Sequence, residues 1–154
     1  MSVTFREARR EDVPVIVAML ADDPVARSRE SGDTSDEAYW EAYYAAFDAI
    51  QEDPRNELIV AEASGEVVGT MQLTFIPGLS RRGGERLQIE AVRVAASMRG
   101  QGLGRKMIGW AIDRARARGC RLVQLTSDKS RTEAHRFYGS LGFTASHEGF
   151  KLLL

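Results

Sequence analysis

Apolar residues recur along this chain with two periods, and the switches between them predict its elements. Residues 3–8 read as a short strand and 11–20 as a helix whose apolar face is Val13, Ile16, Val17 and Leu20. Pro14 falls in the first turn of that helix, where a missing N–H does little harm. The polar stretch 21–33, with Pro24, Ser28, Ser31 and Gly32, reads as a mobile loop. Thr34 and Glu37 then have the spacing of a capping box. Ala38, Ala42, Ala45, Ala46 and Ala49 line the helix that follows, which Asp53-Pro54 ends. A hairpin is predicted from 58–63 and 66–76, two runs rich in β-branched residues on either side of Ser64-Gly65. Pro77 and Gly83-Gly84 break the chain after it.

The strand predicted over 85–95 contains a fault. Leu87, Ile89 and Ala91 share one face, whereas Val92 and Val94 carry the apolar phase on the opposite parity. A period of two that slips by one residue is what an inserted residue produces, so a β-bulge is expected near Ala91 and Val92. Residues 102–118 give the strongest helix, with Leu103, Met107, Ile108, Ala111 and Ala115 on one stripe and Gly119 as its stop. Residues 121–125 predict a short buried strand. A helix follows over 130–140, with Ala134, Phe137, Tyr138 and Leu141 at helical spacing and Gly142 just beyond. Two short strands, 143–146 and 149–153, complete a mixed α/β layer. No internal repeat or linker interrupts it, so residues 1–154 are expected to form one domain.

The chain of 154 residues is long enough to bury one substantial core. Hydrophobic residues at 44% and charged residues at 28% fit an ordinary globular protein, and no apolar run is long enough to span a bilayer. The first ten residues lack the apolar stretch of a secretory signal, so a cytoplasmic location is expected. With Cys120 as the single cysteine no intramolecular disulfide can form, and no cysteine and histidine cluster offers a metal site. Twenty-one basic against 22 acidic side chains leave a net charge of -1. No overall positive field gathers polyanions, so a small-molecule partner is favoured over nucleic acid or a membrane.

Arg99, Gly100, Gln101, Gly102, Leu103 and Gly104 lie between a strand and the long helix. Glycines at a helix N-terminus let a phosphate approach the N–H groups there, although a glycine-rich turn with no ligand has the same letters. The hexapeptide is neither a Walker loop, lacking the Gly-Lys-Ser/Thr ending, nor a dinucleotide fingerprint, since its third glycine comes one residue early. Its context is more specific. A bulged strand, R-x-x-G-x-G opening an amphipathic helix, a strand, and then A-x-x-F-Y-x-x-L-G-F together resemble the GNAT superfamily of N-acetyltransferases. The last motif comprises Ala134, Phe137, Tyr138, Leu141, Gly142 and Phe143. The resemblance implies a mixed, mostly antiparallel central sheet with a bulged strand, flanked by about four helices. It also implies acetyl-coenzyme A as donor, its pyrophosphate on residues 99–104 and its pantetheine paired with the backbone of Val92, Arg93 and Val94. A bulge leaves backbone donors and acceptors that must be satisfied somewhere, and an amide-rich arm does so. Ala134, Phe137 and Tyr138 join the cofactor set by the same resemblance. Arg131 stands where many members carry asparagine. Arg105 and Lys106 add positive charge to the loop or form a solvated helix face.

Acetyl transfer to an amine needs a neutral nitrogen, a polarised thioester carbonyl and a proton for the departing thiolate. Glu90, beside the bulge, resembles the glutamate that acts as base in many members. Its competing reading is a salt bridge to a basic neighbour. The Val92 N–H is the candidate to hold the thioester oxygen, and Tyr138 matches the tyrosine that protonates the sulfur, or else is a packed aromatic. Cys120, with no histidine near it in sequence, reads as packing, and His135 and His147 as solvent-facing or structural. Tyr39, Trp40, Tyr43, Tyr44 and Phe47 fit core packing or the wall of an acceptor pocket. The function expected is transfer of acetyl to a primary amine on a small molecule. The alternatives are a non-catalytic acyl-coenzyme A sensor or interaction module, or a protein or tRNA acceptor. The resemblance further implies a homodimer, with the apolar tail Phe150, Lys151, Leu152, Leu153 and Leu154 suited to pairing across subunits or else to being covered within the monomer.

Overall fold

Side-chain alternation, interrupted twice, builds a five-stranded sheet in the order β1-β2-β3-β4-β5. The strands are β1 (Thr4–Glu7), β2 (Asn56–Ala63), β3 (Glu66–Ile76), β4 (Arg86–Val94) and β5 (Leu122–Leu125). β1 to β4 pair antiparallel in succession. β5 lies beside β4 but is reached through a helix, the crossover that a mixed sheet needs. This computed structural model describes residues 2–154, in two compact units, one ending at Gln124 and the other Leu125–Leu154.

The first unit is a layered sandwich. Helices α1 (Val13–Ala21) and α2 (Glu37–Glu52) pack on one face of the sheet. There Val13, Ile16, Val17 and Phe47 form a buried cluster with Val60 of β2. Helix α3 (Leu103–Arg118) covers the opposite face, burying the predicted stripe Leu103, Met107, Ile108, Ala111 and Ala115. It packs on the odd positions of the sheet, where the Trp110 ring stacks on Phe5 of β1 with centroids 5.3 Å apart. Arg114 pairs with Glu57, Arg118 lies 4.2 Å over the Phe75 ring, and a Cβ on Gly69 would sit 2.8 Å from Met107 Sδ. Glycine at 69 lets Met107 ride close on the strand. Gly119, at φ +84°, closes α3 with its N–H shared between the Ala115 and Arg116 carbonyls.

The predicted bulge is present. Gln72 stands opposite Glu90 and Thr70 opposite Arg93, so Met71 faces two residues, Ala91 and Val92. A second irregularity, between β2 and β3, leaves Val68 extra between Gly69, opposite Ala61, and Val67, opposite Glu62.

Several expectations are corrected. The stretch 21–36 is a series of turns and not an open loop: Ala26 and Asp23 are buried, and Trp40 Nε1 donates to the Thr34 carbonyl at 2.9 Å. The cap of α2 is Asp36, whose carboxylate accepts from the Ala38 N–H at 3.0 Å, and no capping box forms from Thr34. The alanines of α2 face solvent, because Tyr39, Trp40, Tyr43, Tyr44 and Phe47 share the other side and bury far more area. β5 is half-buried rather than buried, as suits the last strand in the order.

The second unit holds helix α4 (Thr132–Ser140). Its predicted stripe, Ala134, Phe137, Tyr138 and Leu141, is the half-buried side. The two strands expected over 143–153 do not form. A strand requires a ladder, and this segment has local bonds instead, from the Phe143 N–H to the Tyr138 carbonyl and from the Ser146 N–H to the Thr144 carbonyl.

Candidate active site

The end of β4 and the start of α3 bring together most of the residues singled out by sequence in the first unit. Ala91 has φ +52°, a left-handed conformation costing an L-residue about 1–2 kcal/mol. That strain sits where the strand takes in its extra residue. Glu90, one residue earlier, is exposed, and among the described residues it has no hydrogen-bond or ion-pair partner. The salt-bridge reading is therefore not what the structure holds. The pleat turns Ile89 inward and Glu90 out.

Beyond the bulge the side chains are fixed from the far side. Arg93 donates from Nη1 to the Val92 carbonyl at 2.9 Å, and its Nη2 pairs with Asp23 Oδ2 at 3.2 Å. Both side chains are nearly buried, and Asp23 also accepts from the Val25 N–H at 3.1 Å. Sequence reading missed Asp23 altogether, having placed it in a mobile loop. The only signal was a pair of aspartates, Asp22 and Asp23, at the end of an apolar helix. Asp22 takes part as well: Arg99 Nη2 lies 3.3 Å from both its carbonyl and its carboxylate.

The glycine loop leaves its backbone uncovered. Gly100 and Gly102 stand at φ +76° and +80°, and a Cβ on either would meet nothing within 4 Å. Their freedom is thus conformational, and the backbone lies open. Gly102 precedes α3, where the Leu103 and Gly104 N–H groups point out of the helix end. Gln101 is tied back through its Nε2 to the Ser97 carbonyl at 3.1 Å, and Arg105 and Lys106 are exposed on the first turn. Val92 and Val94 are half-buried on the strand leading in. An anionic, amide-bearing donor such as acetyl-coenzyme A therefore fits the residues present.

In the second unit Arg131 precedes α4 and its carbonyl accepts from the His135 N–H at 3.1 Å. Ala134, Phe137 and Tyr138 lie on one side of that helix. The Tyr138 ring meets Phe137 and Phe143 edge-on, with centroids 5.2 and 5.9 Å apart.

The remaining candidates are committed elsewhere. Burial, aided by the Glu85 carboxylate 3.8 Å away, pushes the Cys120 thiol up, which disfavours a thiolate nucleophile. His147 Nδ1 lies 2.7 Å from Ser146 Oγ and His135 Nε2 2.9 Å from the Asp128 carbonyl, both exposed. Trp40, Tyr43 and Tyr44 pack against the α1–α2 cluster, and the Tyr43 hydroxyl donates to Glu30 at 2.5 Å. Among the described residues no group of histidine, cysteine and carboxylate side chains is placed to hold a metal, and no helix is long and apolar enough to cross a membrane.

Residues 17–143 match the model of the Acetyltransferase (GNAT) family. The chain is 31% identical over 148 residues, 95% of its length and 88% of the relative's, to an aminoalkylphosphonate N-acetyltransferase of Salmonella typhimurium. It is 34% identical over 91 residues, 59% of this chain and 60% of the relative, to a glucosamine 6-phosphate N-acetyltransferase of Trypanosoma brucei. Among solved structures, a transcriptional regulator from Bacillus halodurans superposes with a TM-score of 0.92 at 48% identity, covering 99% of this chain and all of that one. Bulge, glycine loop and helix thus lie inside a family match that spans most of the sequence, and the chain belongs to the GNAT family of acetyl-coenzyme A-dependent N-acetyltransferases.

Proposed function

We propose that this chain moves an acetyl group from acetyl-coenzyme A to a primary amine on a small molecule, with Glu90 as general base and Tyr138 as general acid. The observation that carries the reading is the Glu90 carboxylate, exposed and uncommitted beside a strand whose backbone is turned out by the bulge. An alkylammonium near pKa ~10.4 leaves about one molecule in 2,500 neutral at pH 7, so a base beside it matters. Exposure gives Glu90 water through which to pass the proton on.

The residues divide the work. The loop from Arg99 to Gly104 holds the donor's pyrophosphate at the α3 terminus, with Arg105 and Arg131 adding charge, and the backbone of Val92, Arg93 and Val94 receives the pantetheine amides. Ala134 and Phe137 supply apolar wall. Glu90 takes the ammonium proton, and the freed nitrogen forms the C–N bond as the C–S bond breaks. The Val92 N–H steadies the carbonyl oxygen, and Tyr138 gives its proton to the leaving sulfur and regains one from solvent. Acetamide and coenzyme A leave. The names of the two relatives support an amine on a small molecule as acceptor. Exposed Phe150, Leu152, Leu153 and Leu154 offer an apolar surface to a second copy, and the working form we assign is a cytoplasmic homodimer.

Glu90→Gln tests the reading. kcat/KM for the amine falls about ten- to a thousandfold near neutral pH, and the loss shrinks as pH rises and the amine arrives deprotonated. Acetyl-coenzyme A affinity by calorimetry stays close to wild type. Parallel pH profiles for variant and wild type remove Glu90 from the mechanism.

A further inference from the structure

Beyond the apolar cluster under α1 and α2, the same face of the sheet becomes polar for two rows. Pairing places Asn56 opposite Thr74 and Thr74 opposite Gln88, and Gln124 of β5 donates from Nε2 to Gln88 Oε1 at 2.8 Å. In the adjacent row Gln72 stands opposite Glu90. Asn56 Oδ1 joins the rows, accepting from Thr74 Oγ1 at 2.9 Å and from Gln72 Nε2 at 3.1 Å. All five uncharged side chains are half-buried.

A sheet face half-withdrawn from water is most cheaply built from apolar residues, as Leu58 and Val60 show on the same face of β2. Five carboxamide and hydroxyl side chains there need partners, and those they give one another do not exhaust them. Each carboxamide brings two donors and two acceptor sites, and among the described residues the Gln88 amide nitrogen has no acceptor. The floor is flanked by opposite charges. Glu90 stands at one end and Arg86, half-buried and without an ion pair among the described residues, at the other, about 13 Å along the strand. That length admits one or two sugar-sized rings.

We propose that this floor is the acceptor subsite and that the acceptor is a hydroxylated primary amine, an amino sugar or amino alcohol. Its ammonium lies at Glu90, away from the Arg86 cation, and its hydroxyls lie on Gln72, Gln88 and Gln124. The proposal rests on the reading of Glu90 as the base. An apolar amine of the same size leaves these polar groups unpaired, and such a site discriminates strongly against it.

The test compares glucosamine with cyclohexylamine, rings of one size with and without hydroxyls, in steady-state acetylation at saturating acetyl-coenzyme A. Wild type favours glucosamine in kcat/KM by about tenfold or more, and Gln88→Leu and Gln124→Leu each reduce that ratio about tenfold. Saturation-transfer NMR of glucosamine with the coenzyme A-bound protein reads binding apart from turnover. Glucosamine that binds through its hydroxyl-bearing carbons without being acetylated upholds the floor and removes the base reading. Equal or better use of cyclohexylamine overturns the floor, as does a ratio that neither folded variant moves, or glucosamine that gives no saturation transfer.

Discussion

Helices α3 and α4 carry the same sequence signal and meet different fates. Each has an apolar stripe at helical spacing and a glycine just past its end, yet the stripe of α3 is fully buried and that of α4 only half-buried. Periodicity names the side of a helix that avoids water but does not supply the surface it packs on. α3 finds one in the odd positions of the sheet, down to a glycine at 69 that lets Met107 approach. The residues proposed for catalysis divide the same way. The bulge and glycine loop are mounted on the densely packed unit, while Tyr138 belongs to the lighter one.

Substitution is the most forceful way to test that contrast. Met107→Ala removes a side chain that is 1% exposed and should cost about 2–5 kcal/mol in urea unfolding. Phe137→Ala, although it deletes a larger group, should cost less than half as much because its ring is already partly in water. Equal losses would mean that the α4 stripe is covered in solution.

A smaller effect sharpens the electrostatic side of the comparison. The Arg6 guanidinium, 2.7 Å from Asp12 Oδ2, holds that carboxyl below the usual range against the opposing pull of burial. A depressed folded value stabilises the protein fully above the unfolded value of about 3.9, and the contribution is lost as pH falls through the folded one. Acid unfolding followed by fluorescence of Trp40 and Trp110, both in the first unit, should therefore show an acid limb that Asp12→Asn flattens. Identical acid limbs would show that the pair stabilises nothing. The smallest change is expected in the tail. Leu152→Ser and Leu153→Ser, at sites 86% and 92% exposed, should each move monomer stability by no more than about 0.5 kcal/mol, and light scattering of wild type and variants would test the proposed dimer.

What sequence revealed follows from how each signal arises. The β4 bulge was legible because Val92 and Val94 break an otherwise clean alternation. The irregularity at Val68 was not, since Val67, Val68 and Gly69 are a run with no phase to slip. In 33–36, Asp33, Thr34, Ser35 and Asp36 are all able to cap. The choice of Asp36 goes with the aromatic side of α2, whose Trp40 bonds back to Thr34. The glycine loop was readable from its letters, but the aspartates that brace its surroundings were not, because Asp23 meets Arg93, 70 positions further along the chain, only in the folded state. The end of the chain misled for the opposite reason. Its alternation of apolar residues is real, but a strand exists only by agreement with another strand.

The bulge itself has an architectural meaning. Were Ala91 missing, Val92 would stand alone opposite Met71, while Glu90, Arg93 and Val94 would keep the partners they have now. Every neighbour would stay on its present face, and the ladder would run unbroken. Ala91 is thus a surplus residue in the grammar of the sheet, one that the fold tolerates in a strained conformation and does not require. Selection for stability alone would delete it, so its retention is what the proposed binding of the donor at Val92 to Val94 would account for.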